Sequence, residues 1–401
     1  MSCGREPAQL PLRRSVPTEV PADYAALRRA GPVCPVLTPV GDPGWLALGH
    51  AAAKQVMTDR RLSRAAACAP QAPRMLAQPP NPDVILYMDA PRHSRVRRVA
   101  SAALDALPLP QLRELVEGIA DDLLAAMARS GGPVDLNAAF ARPLPLRVIC
   151  AVLGVSDADM PALTRWTEAI LSLGGEPQER MAAMLAIRDH FGVLVDERLA
   201  QPADDAVSRM LAASALDAAG PLDRDELVSL TMTLLIAGHE SSVTVLANAV
   251  LLLLADPEQL ADLRADPALM PQAVEELLRL AMPGTSPFLR VATEDLDIAG
   301  CPVRAGEAVT VNYESAHRDP TVFRDADRLD LRRRSPAGSS LYFGFGPHFC
   351  LGAQIARTQL EVGLAALLAR FPALRLAVPP AELAWRDDAA LGGFAAVPVT
   401  W

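Results

Sequence analysis

The stretch from about Arg224 to Ala255 limits the fold more than any other part of this 401-residue chain. Asp223 stands three residues before Glu226, a pairing that caps a helix N-terminus, and the next strong stop is Asp256-Pro257. A helix over that span crosses a whole domain. Its second half is apolar on nearly every face, whereas a surface helix keeps a polar stripe, so it has to be enclosed by protein. Its longest apolar run, Val243 to Ala255, is interrupted by Thr244 and Asn248 and falls short of the roughly 18 residues of a membrane span. Polar residues in such an interior helix need a reason, and His239, Glu240, Ser241 and Ser242 follow Ala237-Gly238 there.

The remaining patterns predict a mainly α fold with a small β region. Between Gln111 and Arg129, Leu112, Leu115, Val116, Ile119 and Leu123 recur at helical spacing, with Glu114, Glu117, Asp121 and Asp122 between them. Strand signals are few: Trp45 to Leu48 after the Gly41-Asp42-Pro43-Gly44 turn, Phe288 to Ala292, Ala308 to Asn312, and Phe394 to Val399. There is no internal repeat, and the Pro-rich stretches, at the N-terminus and from Ala69 to Pro82, are no longer than loops, so a single domain over 1–401 is expected.

Charge and cysteine usage exclude several functions. The net charge is −9 and Lys54 is the only lysine, which leaves no lysine-rich arm for nucleic acid. Met1 to Arg14 includes Arg5, Glu6, Arg13 and Arg14 and no apolar stretch of signal-peptide length, so a cytoplasmic, membrane-free monomer is expected. The cysteines, at positions 3, 34, 68, 150, 301 and 350, show no C-x-x-C pair, against both a disulfide framework and a zinc site.

One cysteine has informative neighbours. Phe343-Gly344-Phe345-Gly346-Pro347-His348-Phe349-Cys350-Leu351-Gly352 is a glycine-punctuated loop that runs into a helical pattern, Ala353 to Arg370. That puts Cys350 at a helix N-terminus, where the dipole and unpaired N–H groups favour the thiolate. The glycines let backbone pass close to something flat, and Phe343, Phe345 and Phe349 keep water from the sulfur.

The pattern F-x-x-G-x-H-x-C-x-G, carried by Phe343, Gly346, His348, Cys350 and Gly352, resembles the haem-binding signature of the cytochrome P450 superfamily. The resemblance implies the family's prism-shaped helical fold, haem b (iron protoporphyrin IX) as cofactor, and the Cys350 thiolate as iron ligand. Glu276-Leu277-Leu278-Arg279 is similar to the family's E-x-x-R motif, with Arg328 at the place of its third partner. His93 and Arg97, four residues apart on one helix face, resemble the family's H-x-x-x-R; with Arg290 and His348 they are implied to hold the haem propionates, a task for which the guanidinium fork suits a carboxylate.

Ala237-Gly238-His239-Glu240-Ser241 resembles the oxygen-binding stretch A-G-x-[DE]-[TS]. There Gly238 would leave room for dioxygen, Glu240 would relay protons and Ser241 would hydrogen-bond the bound oxygen. Serine in place of the family's usual threonine keeps the hydroxyl but frees its rotamer. Ala316-His317-Arg318-Asp319-Pro320 resembles the structural A-x-R-D-P segment, and neither His317 nor His50 is expected to be a ligand.

The implied reaction is insertion of an oxygen atom from dioxygen into C–H or C=C, with electrons from a separate ferredoxin and ferredoxin reductase that meet arginines such as Arg357. Oxidative coupling on the same scaffold and a non-catalytic haem-thiolate sensor are the rival readings. By analogy the substrate site is lined by residues 65–86, 166–173, 184–193, 233–237, 287–289 and 393–395. These are mostly apolar, which suits a medium-sized, largely hydrophobic molecule. The Ala- and Arg-rich composition resembles actinomycete members that tailor natural products.

Overall fold

The computed structural model describes residues 6–171, 176–282, 284–386 and 392–401; Cys3 and positions 172 and 173 of the expected substrate wall lie outside them. Thirteen helices dominate these residues. The first eight are α1 Ala22–Ala30, α2 His50–Thr58, α3 Arg92–Asp105, α4 Leu109–Ser130, α5 Pro143–Leu153, α6 Met160–Leu171, α7 Pro177–Ala200 and α8 Ala206–Ala215. They are followed by α9 Arg224–Ala255, α10 Pro257–Ala265, α11 Met270–Ala281, α12 Tyr313–Ala316 and α13 Ala353–Arg370.

The predicted capping box starts α9: Asp223 Oδ1 accepts from the Glu226 N–H at 2.8 Å, and Glu226 Oε2 from the Asp223 N–H at 3.2 Å. This is the one helix among the described residues long and apolar enough to cross a membrane, and 67% of its apolar window is buried inside the protein. It packs against α5, α7, α11 and α13, and so forms the axis of the larger hydrophobic core. The amphipathic pattern expected over Gln111–Arg129 forms α4, with Leu112, Val116 and Ile119 buried. The pattern after the cysteine loop forms α13 with the bounds read from the sequence.

A second, smaller core lies under a six-stranded sheet. Its order is Ala8–Gln9, Val33–Leu37, Pro43–Ala47, Ala308–Val311, Arg290–Ala292 and Leu62–Ser63. Three of the expected strands lie in this sheet, and the fourth pairs as Pro398–Thr400 between Arg375–Leu376 and Val134–Asp135. Two elements escaped the sequence reading for identifiable reasons. Val33–Leu37 contains Pro35, which argues against a paired strand, but only the short Ala8–Gln9 strand lies outside it. The hairpin Leu296–Ile298 with Cys301–Val303 turns on Ala299 and Gly300, both at positive φ (51° and 86°), and alanine is not the residue such a turn announces.

The E-x-x-R pair ties α11 to the stretch that leads to the cysteine loop. Arg279 donates to Glu276 through Nε (2.7 Å) and Nη2 (2.8 Å), with both side chains buried. It also reaches the His317 and Ala326 carbonyls at 2.7 and 2.6 Å. The third partner is not Arg328, which is exposed and contributes its carbonyl. Arg333 takes that place, with Nε 3.0 Å from Glu276 Oε1, because the chain turns after Asp330 and carries the later arginine inward. In the A-x-R-D-P segment, Asp319 accepts from the His50 N–H at 2.9 Å, and His317 Nε2 accepts from the Leu341 N–H at 3.1 Å. Both imidazoles hold backbone, since His50 Nε2 lies 2.8 Å from the Ser339 carbonyl and His317 takes the Leu341 N–H. Removing a partner from a buried charge costs several times more than deleting an exposed one. Arg333→Ala should lower stability by about 3 kcal/mol and Arg328→Ala by about 0.5 kcal/mol or less, read as urea midpoints; equal losses would contradict this assignment.

Candidate active site

The cysteine loop is built by its glycines. Gly344 and Gly346 both sit at φ +73°, and a Cβ on Gly346 would come within 3.0 Å of Thr58 Cγ2 and 3.2 Å of the Met57 carbonyl. The loop closes on itself through the Cys350 N–H, which donates to the Phe343 carbonyl at 2.8 Å. Cys350 then precedes α13, and the Gly352 N–H points at its sulfur.

The cysteine has an open face, yet burial is the largest influence on its thiol and pushes the pKa up against Gly352, Arg97 and Arg357, which all lower it. The residue is thus accessible from one side while the protein packed around it raises the thiol pKa. The helix terminus does favour the thiolate, through the Gly352 N–H, while burial acts in the opposite direction. A cation bound to the sulfur is what would reverse the balance, since a coordinating thiol gives up its proton. Arg357 is less available to a partner than expected. Its Nε donates to Glu275 at 2.7 Å and its guanidinium lies 4.6 Å over the Phe343 ring.

Across the core, the middle of α9 shows a second open face. Ala237 is exposed and Ser241 half-buried, although Leu234, Leu235, His239 and Glu240 around them are buried. The Ser241 hydroxyl donates back to the Ala237 carbonyl at 3.1 Å, a bond common for serine inside helices, which leaves its oxygen lone pairs as acceptors. Glu240 lies beside Asn137, Arg142, Thr244, Arg386 and Gly393 around a small cavity. Burial raises its carboxyl pKa, only partly opposed by Arg142 and Arg386. His239 is fully buried, and burial lowers it to about 4, so it is neutral near pH 7.

Gly238 does not sit where it was expected. A Cβ there would meet Ile149 of α5 at 3.3 Å, so this glycine serves close contact between α9 and α5, and Ala237 is the residue that borders the open face. Of the cavity's other lining residues, Gly393 and Phe394 belong to the expected 393–395 wall, whereas Asn137, Arg142 and Arg386 were not singled out from sequence. Asn137, Arg142 and Arg386 come from distant segments, and no spacing pattern connects them to Glu240.

The four residues expected to hold carboxylates gather as one basic cluster. The His93 and His348 rings are 4.1 Å apart, and their ionisation is suppressed chiefly by burial and then by the arginines around them. Arg290 is buried with only long contacts, 3.5 Å to the Leu62 carbonyl and 3.4 Å to that of Met57. Burial lowers it to about 9. Among the described residues no carboxylate lies within ion-pair distance of Arg97 or Arg290. Buried guanidiniums without anions are costly, so a dicarboxylate seated beside Cys350 fits these residues. Arg64, not singled out from sequence, stands in the same cluster.

The packing role of Gly238 is testable by compensation. Gly238→Leu should cost about 1–3 kcal/mol, and adding Ile149→Ala should recover part of that loss in thermal melts. No recovery would contradict the contact.

Comparison with known proteins agrees with this geometry. The Cytochrome P450 family model matches residues 168–382. Nocardicin C N-oxygenase of Nocardia uniformis subsp. tsuyamanensis is 42% identical over 94% of this chain and 94% of its own length. Mycinamicin IV hydroxylase/epoxidase of Micromonospora griseorubida is 40% identical, again over 94% of each chain. The crystal structure of SgvP, a putative thioether synthase of griseoviridin tailoring, superposes with a TM-score of 0.91 at 35% identity, over 99% of this chain and 100% of that one. A cysteine loop, a long interior helix and a basic cluster in this arrangement, together with likeness along almost the full length, make this chain a member of the cytochrome P450 family of haem-thiolate monooxygenases.

Proposed function

We propose that the protein hydroxylates or epoxidises a medium-sized, largely apolar organic substrate in the cytoplasm, as a step of secondary-metabolite biosynthesis. Its electrons come from a separate ferredoxin and ferredoxin reductase. The cofactor is haem b, with Cys350 as the iron ligand and His93, Arg97, Arg290 and His348 on its propionates. When bound, haem supplies the activation of dioxygen and the one-electron chemistry.

The observation that carries the reading is that Ala237 and Ser241 on α9, and Cys350 just before α13, are left open at two helices that pack against each other. Phe343, whose ring meets Phe349 at 6.3 Å, shields the sulfur side from water. On the α9 side Ala237 takes little space, and Ser241 offers a hydroxyl whose proton rests on the Ala237 carbonyl and whose lone pairs face outward. Glu240 holds a proton on its carboxyl to higher pH than an exposed glutamate would, because burial disfavours the anion.

Support for an apolar substrate comes from the walls. Phe288, in the expected 287–289 wall, meets edge to face at 5.6 Å with Tyr87, which directly follows the expected 65–86 wall. The helix α7 contributes less than expected, since Met184 and Val193 on it are exposed. The names of the nocardicin and mycinamicin relatives favour oxygen transfer on natural products. The thioether-synthase neighbour supports a second reading, oxidative bond formation on the same scaffold; product mass separates the two, since oxygen insertion adds one oxygen atom and coupling removes hydrogen.

Two variants test the roles on α9. Glu240→Gln should cut turnover about 100-fold while substrate still binds, as expected for loss of a general acid. Because the Glu240 pKa is raised, the parent should lose activity as pH rises through that pKa, and the glutamine variant should lack this alkaline limb. Ser241→Ala should keep NADH consumption and lose product. Full coupling in the alanine variant would remove Ser241 from the mechanism.

A further inference from the structure

Arg64 lies in the loop after the Leu62–Ser63 strand and is 7% exposed. Its Nη1 donates to the Leu86 carbonyl at 2.8 Å, and its guanidinium lies 5.2 Å over the Phe288 ring. Its Nε is buried without a hydrogen-bond partner. Asp89 is the one carboxylate that acts on it, after the Tyr313 and Tyr87 hydroxyls, but that carboxylate is spent on the Ser63 hydroxyl and on the Arg64 and Ala65 N–H groups and forms no ion pair with the guanidinium.

The antiparallel register Leu62↔Ala292 and Ser63↔Val291 brings Arg64 opposite Arg290, whose Nη1 lies 3.5 Å from the Leu62 carbonyl. Arg64 is the charge that most opposes the ionisation of Arg290, and it also acts on His93. Arg64 and Arg290 therefore share one buried region in which Asp89 is the one carboxylate that acts on both. Two guanidiniums against one carboxylate leave a positive charge uncompensated, and a buried charge in that state needs an anion. Arg97, on α3, lies on the sulfur side of the same cluster, where it shares His93 with Arg64 and Arg290.

We propose that Arg64 is a third propionate-binding arginine, sharing one haem propionate with Arg290 while Arg97 serves the other. The proposal rests on haem being seated at Cys350. The fork geometry of arginine gives a bidentate grip on a carboxylate that lysine would not reproduce. The merely structural alternative is that Arg64 only ties the Leu86 loop to Phe288.

The test uses the holoprotein and two readouts. Haem transfer to excess apomyoglobin gives the rate of haem loss, and the resonance Raman propionate-bending band reports hydrogen bonds on the propionates. With Arg64→Met, haem should leave about tenfold faster or more, the size expected for a lost charge-assisted bond, and the band should shift. Arg64→Lys should fall between that variant and the parent. The reduced carbonyl spectrum should stay that of a thiolate-bound haem in both variants, which separates this test from the assignment of Cys350. An unmoved propionate band overturns the proposal whatever the rate does, because a loop-anchoring residue would speed haem loss without touching the propionates. A shifted band with unchanged Leu86-loop proteolysis supports it.

Discussion

Burying a thiol and a group of arginines around the same cleft creates two opposite deficits, and both are met by one molecule. The Cys350 thiol, driven towards its neutral form by the protein packed around it, becomes a good thiolate only against a cation. The guanidiniums of Arg64, Arg97 and Arg290, whose own ionisation burial opposes, lack the carboxylates that would offset them. An iron porphyrin with two carboxylate arms supplies the cation to the sulfur and the anions to the arginines. Much of the surrounding structure acts to hold these two deficits at a fixed separation.

The Glu276, Arg279 and Arg333 network is one such support. It joins α11 to the carbonyls of His317, Ala326 and Arg328, and so fixes the irregular chain that leads into the cysteine loop. A second tie runs from Glu275 to Tyr342 and Arg357, one on each side of Cys350. Neighbouring acids on α11 thus brace both the approach to the loop and the helix that leaves it. On the opposite wall α9 needs no such ties. Its burial against α5, α7, α11 and α13 sets its place, and the close contact at Gly238 fixes how near α5 can come.

Legibility in the sequence followed the range of the interactions. The long helix, its capping box and the cysteine loop were readable because their determinants lie within a few residues of one another: Asp223 with Glu226, and the glycines with Cys350. His93 and Arg97 were readable for the same reason. What was misread depends on contacts distant in the chain. Arg328 was the partner read from the sequence, and it is the turn after Asp330 that brings Arg333 to Glu276 instead. Gly238 suggested space at the oxygen side, but Ile149 of another helix fills the side on which it lacks a Cβ. Arg64 gave no signal at all, since nothing in the residues around it says that it is buried or that it stands beside His348.

The most direct measurement is the absorption spectrum of the reduced protein under carbon monoxide, taken for the parent and for Cys350→Ala. The account predicts the red-shifted Soret band of a thiolate-ligated carbonyl haem in the parent and its disappearance in the variant. A parent that binds no haem, or a variant whose spectrum matches the parent's, would contradict it.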